Sequence, residues 1–293
     1  MMIGSATIPA PIDNRLPPDA EPSSGAIVRL VDIWKSFGRQ EVLRGIDMNF
    51  QRGRTTVVLG PSGCGKSVML KHIVGLIRPD RGEVWFEGSR VDRMKDRELG
   101  EVRRQIGFLF QQSALFDSMS VHDNVAFPLV ELTRMGATER EARVESVLGT
   151  VGLHDTGAKM PADLSGGQRK RVALARAIVL EPKVVLYDEP TTGLDPIRAD
   201  LIAELILRLQ QRAGITSIIV THDLQIAFKV ADRMMILYDG KVIADGTPDA
   251  IRSSTDPVID GFLNARASPE ELAAINDAPG LADDSRGNRL DEG

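Results

Sequence analysis

The stretch that decides the fold runs from residue 55 to residue 76 and reads TTVVLGPSGCGKSVMLKHIVGL. Its centre, Gly60-Pro61-Ser62-Gly63-Cys64-Gly65-Lys66-Ser67, fits the pattern G-x-x-x-x-G-K-[ST] between an apolar strand and a helix. Glycines in this pattern turn successive backbone N–H groups inward around a phosphate, and the positive end of the following helix points to the same place. We therefore expect Lys66 to neutralise the β- and γ-phosphates of a nucleotide and Ser67 to ligate Mg²⁺, with Val68 next to them. A glycine-rich turn without a ligand is the alternative, and the complete octet in this context argues against it.

The single cysteine of the chain, Cys64, lies inside this loop. A passive small residue and a reactive thiol are both compatible with the position. Because a helix N-terminus stabilises a thiolate, the location predicts a lowered pKa for Cys64. It also predicts that alkylation of Cys64 blocks nucleotide binding and that ATP protects the thiol.

Two further apolar strands end in polar residues that suit phosphate chemistry. The strand KVVLY is followed by Asp188 and Glu189, and TSIIV by Thr221 and His222. Ligands of open α/β sheets bind at the carboxyl ends of the strands. We expect Asp188 to reach Mg²⁺, Glu189 to deprotonate the attacking water, and His222 to contact the γ-phosphate or that water. The alternatives are a solvated acidic turn and a structural histidine.

The pentapeptide Leu164-Ser165-Gly166-Gly167-Gln168 precedes a helical pattern with basic residues early. Ser165 is a suitable N-cap, and the two glycines expose the first N–H groups of the helix. This arrangement predicts a second anion site at a helix N-terminus, although an ordinary capped helix start would look similar. One chain has no evident use for two phosphate sites, so the pattern suggests that two copies share their nucleotides.

Length and composition limit the other possibilities. The chain has 293 residues, one cysteine and a formal net charge of −5, which argues against a nucleic-acid-coating protein and against a disulfide scaffold. No apolar run approaches the ~20 residues that span a bilayer, and we expect no signal peptide. Short apolar strands alternate with helical patterns, which predicts an α/β core with an inserted helical region. We expect a flexible tail at 1–25, one domain at 26–264 with the insertion at about 112–175, and an extension at 265–293.

The order of these motifs resembles that of the ATP-binding cassette (ABC) ATPase family. Gly60–Ser67 matches Walker A, Leu164–Gln168 the LSGGQ signature, and Asp188-Glu189-Pro190 the end of Walker B. The resemblance covers about residues 27–263. It implies a P-loop NTPase fold with a RecA-like core, an antiparallel β subdomain and an inserted α-helical subdomain. It also implies ATP and Mg²⁺ as cofactors and a head-to-tail homodimer, in which the signature of one copy closes the ATP site of the other.

The same resemblance assigns roles to single residues. Phe37 matches the aromatic residue that stacks on adenine, and Gln111 matches the Q-loop glutamine that senses Mg²⁺. Asp195 matches the D-loop, and His222 matches the switch histidine. After Gln111, six apolar side chains are either core of the helical insertion or part of a cleft for a membrane subunit: Leu115, Phe116, Met119, Val121, Phe127 and Leu129.

Longer stretches, including LFQQSALFDSMSVHDNVAFPL and DPVIDGFL, are similar to the ATPases of bacterial lipid transporters of the Mla/MCE type. This similarity implies phospholipid transport, a permease of the MlaE type, an MCE-domain lipid-binding protein and a STAS-domain protein. The expected location is the cytoplasmic face of the bacterial inner membrane. A transporter ATPase for amino acids or ions and a soluble non-transport ABC protein are the alternatives. The helix expected at SPEELAAIND would belong to the C-terminal extension.

Overall fold

The computed structural model describes residues 25–264. The chain divides into two units between Ile251 and Arg252. The expected helix at SPEELAAIND and the two predicted tails lie outside the described residues. Within the described part, no helix combines the length and the apolar character needed to cross a membrane.

The centre of the first unit is a six-stranded sheet. Its strands are β3 (Thr55–Leu59), β6 (Ile106–Leu109), β7 (Val184–Asp188), β8 (Thr216–Thr221), β9 (Arg233–Tyr238) and β10 (Lys241–Gly246). The spatial order is β10-β9-β3-β8-β7-β6, and every neighbouring pair is parallel except β10 with β9. All residues of β3, β7 and β8 are buried, as expected for parallel strands covered on both faces. Because these three strands are parallel, their carboxyl ends meet at one edge of the sheet.

A second, antiparallel sheet packs against this core. It contains β1 (Ala26–Phe37), β2 (Gln40–Gln51), β4 (Arg81–Phe86) and β5 (Ser89–Arg90) in the order β2-β1-β4-β5. The expected turn at Glu87-Gly88 is confirmed, with φ values of 47° and 76°. Asp239-Gly240, which joins β9 to β10, has the same geometry, with φ values of 46° and 72°. Two consecutive residues with positive φ form the turn type that matches the twist of a two-residue hairpin.

Eight helices accompany the two sheets in the described part of this unit. They are α1 (Lys66–Ile73), α2 (Asp96–Arg104), α3 (Val121–Leu132), α4 (Ala137–Thr150), α5 (Gly166–Ile178), α6 (Pro196–Ala213), α7 (Leu224–Val230) and α8 (Pro248–Arg252). Helices α3, α4 and α5 pack on one another and form the helical subdomain between β6 and β7. The fold is therefore the α/β arrangement that the sequence predicted, with a core sheet, an antiparallel β subdomain and an inserted helical subdomain.

The described part of the second unit carries α9 (Pro257–Leu263). Asp256 caps this helix by accepting hydrogen bonds from the N–H groups of Val258 and Ile259. Pro257 stands at the first helical position, where its missing N–H costs nothing.

Candidate nucleotide site

The phosphate loop follows β3 directly and leads into α1. Gly60 and Gly65 have φ values of 158° and 105°, and Gly65 is the N-cap of α1. A Cβ at Gly60 would lie 2.2 Å from the carbonyl oxygen of Leu237, so a larger residue would displace the backbone. Glycine is thus required here both by the backbone conformation and by the close approach of β9.

The ammonium group of Lys66 lies inside this loop. Its Nζ donates to the carbonyl oxygens of Gly60, at 2.7 Å, and Pro61, at 3.0 Å. Nζ is also 3.5 Å from Oε1 of Glu189, and both side chains are almost completely buried. The cation therefore lies between the phosphate loop and the end of β7, where a bound phosphate would meet it.

Ser67 and Asp188 are brought together as the sequence predicted. The Ser67 hydroxyl donates to Oδ1 of Asp188 at 2.7 Å. Burial raises the pKa of the Asp188 carboxyl, and the hydrogen bond from Ser67 acts against this rise. A hydroxyl and a carboxylate are oxygen ligands of the kind that Mg²⁺ prefers, so the donor set fits this cation. Gln111 is exposed, and its backbone carbonyl accepts a hydrogen bond from Lys170.

Glu189 forms the centre of a polar cluster at the ends of β7 and β8. Its Oε2 accepts from the hydroxyls of Thr192, at 3.3 Å, and Thr221, at 3.4 Å. Nδ1 of His222 lies 2.9 Å from the same oxygen. Glu189 is 7% exposed, whereas the side chain of His222 is 54% exposed. A buried carboxylate with a half-exposed imidazole beside it is suited to accept a proton from a water molecule.

Phe37 ends β1 with its ring 48% exposed. The ammonium of Lys35 lies 5.4 Å from the ring centroid and pairs with Asp80 at 2.6 Å. Asp80 also accepts from the backbone N–H of Ser36 at 2.6 Å. The hydrogen bond from Lys35 lowers the pKa of the Asp80 carboxyl. Asp80 therefore fixes the end of β1, where about half of Phe37 is exposed.

The LSGGQ pentapeptide starts α5 as predicted. Ser165 is the N-cap: its hydroxyl accepts from the N–H of Gln168 at 3.3 Å, and Oε1 of Gln168 accepts from the N–H of Ser165 at 2.9 Å. Between residues 25 and 264, no hydrogen bond or ion pair joins 164–168 to the phosphate loop at 60–67. Asp195 likewise caps α6 by accepting from the N–H of Arg198 at 3.0 Å. The structure thus leaves Ser165, Gly166, Gly167, Gln168 and Asp195 outside the cluster around Lys66.

The expectation for the Cys64 thiol was wrong in its direction. Burial raises the pKa of Cys64 and outweighs the lowering by the Lys66 charge. The helix start beside the thiol therefore does not make it an acidic, reactive group. The apolar surroundings of the side chain, which packs against the core, were not visible in the motif.

Three polar residues that organise the site's surroundings were missed. Asn124 is fully buried and hydrogen-bonds four backbone groups of residues 116–120. Arg176 donates to the carbonyl of Ser113, and its guanidinium lies 5.8 Å from the Phe116 ring centroid. Lys170 is buried on α5. The available signal was the position of Lys170 at helical spacing from buried apolar residues, which places a cation on an apolar face.

The apolar side chains after Gln111 differ in burial. Val121 and Leu129 are buried in the core, at 0% and 1% exposure. Phe116 is 41% exposed and packs against Phe127, with ring centroids 5.0 Å apart. Phe116 therefore lies at the surface of the described part and not in its core.

Fold and site together define a P-loop nucleotide-binding domain of the cassette type. The family model "ABC transporter" matches residues 43–192. The chain belongs to the ABC transporter family. It is an ATP-binding subunit that hydrolyses ATP.

Known proteins similar to this chain agree on the family. The chain is 39% identical over 247 residues to the "Intermembrane phospholipid transport system ATP-binding protein MlaF" of Escherichia coli (strain K12), covering 84% of this chain and 92% of that protein. It is 39% identical over 254 residues to the "Probable ribonucleotide transport ATP-binding protein mkl" of Mycobacterium leprae, covering 87% and 72%.

Among solved structures, a dimeric post-hydrolysis cassette, MJ0796 bound to ADP and Pi, is similar with a TM-score of 0.71. The two sequences are 34% identical, and the match covers 75% of this chain and 98% of that one. At 34% sequence identity, the similarity supports the assignment to the cassette family as well as the fold.

Proposed function

We propose that this chain is the ATP-hydrolysing subunit of a bacterial transporter that moves phospholipid across the cell envelope. The observation that carries the proposal is the similarity to MlaF over 92% of MlaF's length. The similarity to mkl, whose name specifies ribonucleotides, covers a smaller share of that protein, 72%. Ribonucleotide transport is therefore the second candidate.

The proposed chemistry follows from the site geometry. The phosphate loop (Gly60, Pro61, Ser62, Gly63, Cys64, Gly65, Lys66, Ser67 and Val68) holds the ATP phosphates, and Phe37 stacks on adenine. Ser67, Asp188 and Gln111 would hold Mg²⁺, which would supply charge neutralisation of the phosphates. Glu189 accepts a proton from the attacking water. His222, whose Nδ1 lies 2.9 Å from Oε2 of Glu189, orients the carboxylate and the water.

The second anion site is proposed to act on the nucleotide of another copy. Ser165, Gly166, Gly167 and Gln168 present the start of α5, and Asp195 presents the start of α6, as parts of a head-to-tail dimer interface. This use would explain why the signature lies at a helix N-terminus and why, within residues 25–264, it makes no hydrogen bond or ion pair with its own phosphate loop. ATP binding closes the dimer, and loss of the γ-phosphate releases it.

The proposed assembly has four kinds of component. Two copies of this chain dock on a permease of the MlaE type at the cytoplasmic face of the inner membrane, with an MCE-domain lipid-binding protein and a STAS-domain protein. Phe116, exposed beside Phe127, contributes to the docking cleft. Residues 26–264 would form the cassette, with the tails 1–25 and 265–293 outside it.

The test is purification of the complex from detergent-solubilised membranes of the source cells, using the full chain as bait. We expect a multi-span permease and an MCE-domain protein to co-purify, and phospholipid to be present in the complex. Co-purification with a ribonucleotide-binding subunit instead would favour the second candidate. A cassette that co-purifies only with soluble proteins would contradict both transport proposals.

A further inference from the structure

Lys170 joins three segments of the site although it belongs to none of the motifs described above. Its Nζ donates to the backbone carbonyl of Gln111 and, at 3.4 Å, to that of Glu189. Gln111 is 59 positions away along the chain and Glu189 is 19 positions away. One side chain of α5 thus connects the Q-loop, the end of β7 and the helix that begins with the LSGGQ signature.

This contact has an energetic cost that packing alone would not justify. Lys170 is 5% exposed, and burial lowers the pKa of its ammonium while the charges of Asp188 and Glu189 raise it. A methionine would fill a similar volume on this apolar helix face without desolvating a charge. The presence of a lysine at this position is therefore better explained by its hydrogen bonds to the two carbonyls than by the volume of its side chain.

The backbone that Lys170 holds is strained. Glu189 has a φ of 48°, in the left-handed region that non-glycine residues rarely adopt. Its N–H donates to the carbonyl of Val220 at 2.9 Å, and its carbonyl accepts from Lys170. Such a conformation persists only where the surroundings fix it from several sides. It is also the conformation in which the Glu189 carboxylate reaches His222.

We propose that Lys170 is a positioning residue for ATP hydrolysis, which holds the Glu189 backbone so that the carboxylate faces the attacking water. The proposal rests on the base role proposed for Glu189. Because Lys170 lies on the same helix as Ser165, a movement of α5 changes the direction of the base. Closure of the signature on the partner's nucleotide is thereby linked to activation of hydrolysis in the chain's own site.

The test compares Lys170→Met, Lys170→Gln and Lys170→Arg in the full-length protein. For Lys170→Met we expect a kcat at least tenfold lower, with KM for ATP and the Kd of a fluorescent ATP analogue changed less than threefold. Gln and Arg keep donors for the two carbonyls, so these variants recover part of the lost kcat. Lys229→Met is the matched control, because Lys229 forms exposed ion pairs with Asp200 and Glu204. We expect this control variant to keep the wild-type kcat.

A second readout separates positioning from packing. Glu189→Gln is expected to bind ATP without hydrolysing it and so to stay in the proposed ATP-bound dimer. This dimer should persist when Lys170→Met is added, as followed by size-exclusion chromatography. Wild-type kcat for Lys170→Met overturns the proposal. So does a parallel loss of Tm, ATP binding and kcat that neither Gln nor Arg recovers. If the Met variant does not fold, Lys170→Ala, which also lacks a donor, takes its place: a lowered kcat with unchanged Kd supports the proposal, and wild-type kcat overturns it.

Failure of the underlying base role is recognised separately. Wild-type turnover by Glu189→Gln removes the base role of Glu189, and the positioning role of Lys170 falls with it. If Glu189→Gln abolishes turnover while Lys170→Met leaves it unchanged, only the role of Lys170 is refuted.

Discussion

Oε2 of Glu189 accepts hydrogen bonds from the hydroxyls of Thr192 and Thr221 and contacts Nδ1 of His222. Oε1 of Glu189 faces the ammonium of Lys66. Replacement by glutamine keeps the shape and removes the proton acceptor. We expect Glu189→Gln to bind ATP normally and to lose turnover by roughly 10²–10⁴-fold, the range for a general base. Phosphate release and ATP-analogue binding measure the two effects. Glu181→Gln, at an exposed ion pair with Arg143, is the control and should retain full turnover.

In our proposal Lys66 contacts the nucleotide itself, so its removal should weaken ATP binding, unlike the removal of the Glu189 carboxylate. The ammonium donates to two phosphate-loop carbonyls and lies beside the Glu189 carboxylate. Lys66→Ala leaves the ATP phosphates without this charge, and we expect a Kd for ATP at least tenfold higher. Isothermal titration with Mg-ATP measures it. An unchanged Kd together with a lowered kcat would contradict a binding role.

Cys64 offers a probe of the same loop because it is the chain's single cysteine. Since burial raises its pKa, the thiolate fraction near pH 8 is smaller than that of an ordinary thiol, and it grows as the pH rises towards the raised pKa. We expect slow iodoacetamide labelling at pH 8, faster labelling at pH 9.5, and protection by ATP at both. Mass spectrometry of the intact protein follows the reaction. Equal labelling rates with and without ATP would contradict the location of the nucleotide.

At the level of helices and strands, the sequence predicted the features that depend on residues close together in the chain. The strands at β3, β7 and β8, the Ser165 cap and the turns at 87–88 and 239–240 follow from local patterns, and the structure contains each of them. The meeting of Ser67 with Asp188 followed from their common position at the carboxyl ends of parallel strands. Other contacts between distant segments did not follow, because no local pattern records them. The bond from Lys170 to Gln111, across 59 positions, is such a case. The direction of the Cys64 pKa was missed for the same reason.

Asn124 on α3 shows how much one distant-contact residue organises. Its Oδ1 accepts from the N–H of Phe116, and its Nδ2 donates to carbonyls of Phe116, Met119 and Ser120. Asn124→Ala removes these four bonds and leaves the Phe116 N–H and the Met119 carbonyl without the partner that Asn124 supplies, whereas the Phe116 and Ser120 carbonyls still accept from the N–H groups of Met119 and residue 124. We expect a loss of about 2–3 kcal/mol in the free energy of unfolding. Urea denaturation measures the loss. Gln112→Ala, which removes an exposed amide from the same loop, should change stability by less than about 0.5 kcal/mol.

At the scale of the whole molecule, the proposed function gives each chain two separate half-sites for ATP. Lys66, Ser67, Asp188, Glu189 and His222 converge at one sheet edge, whereas the capped start of α5 lies apart from them within residues 25–264. Under the proposed shared-site arrangement, a single copy holds ATP on one side only. A solved cassette to which the chain is similar is dimeric and bound to ADP and Pi.

If hydrolysis needs the signature of a second copy, turnover per chain must depend on protein concentration. We expect the specific activity of the purified protein to rise with concentration and to level off once the dimer predominates. A chain with Ser165→Arg, which places a cation and a bulky group at the α5 N-terminus, should bind ATP and hydrolyse it poorly. Mixing this variant with Lys66→Ala should restore activity, since one of the two sites in the mixed dimer then has an intact phosphate loop and an intact signature. Concentration-independent turnover, or no recovery in the mixture although mixed dimers form, would contradict the shared-site arrangement.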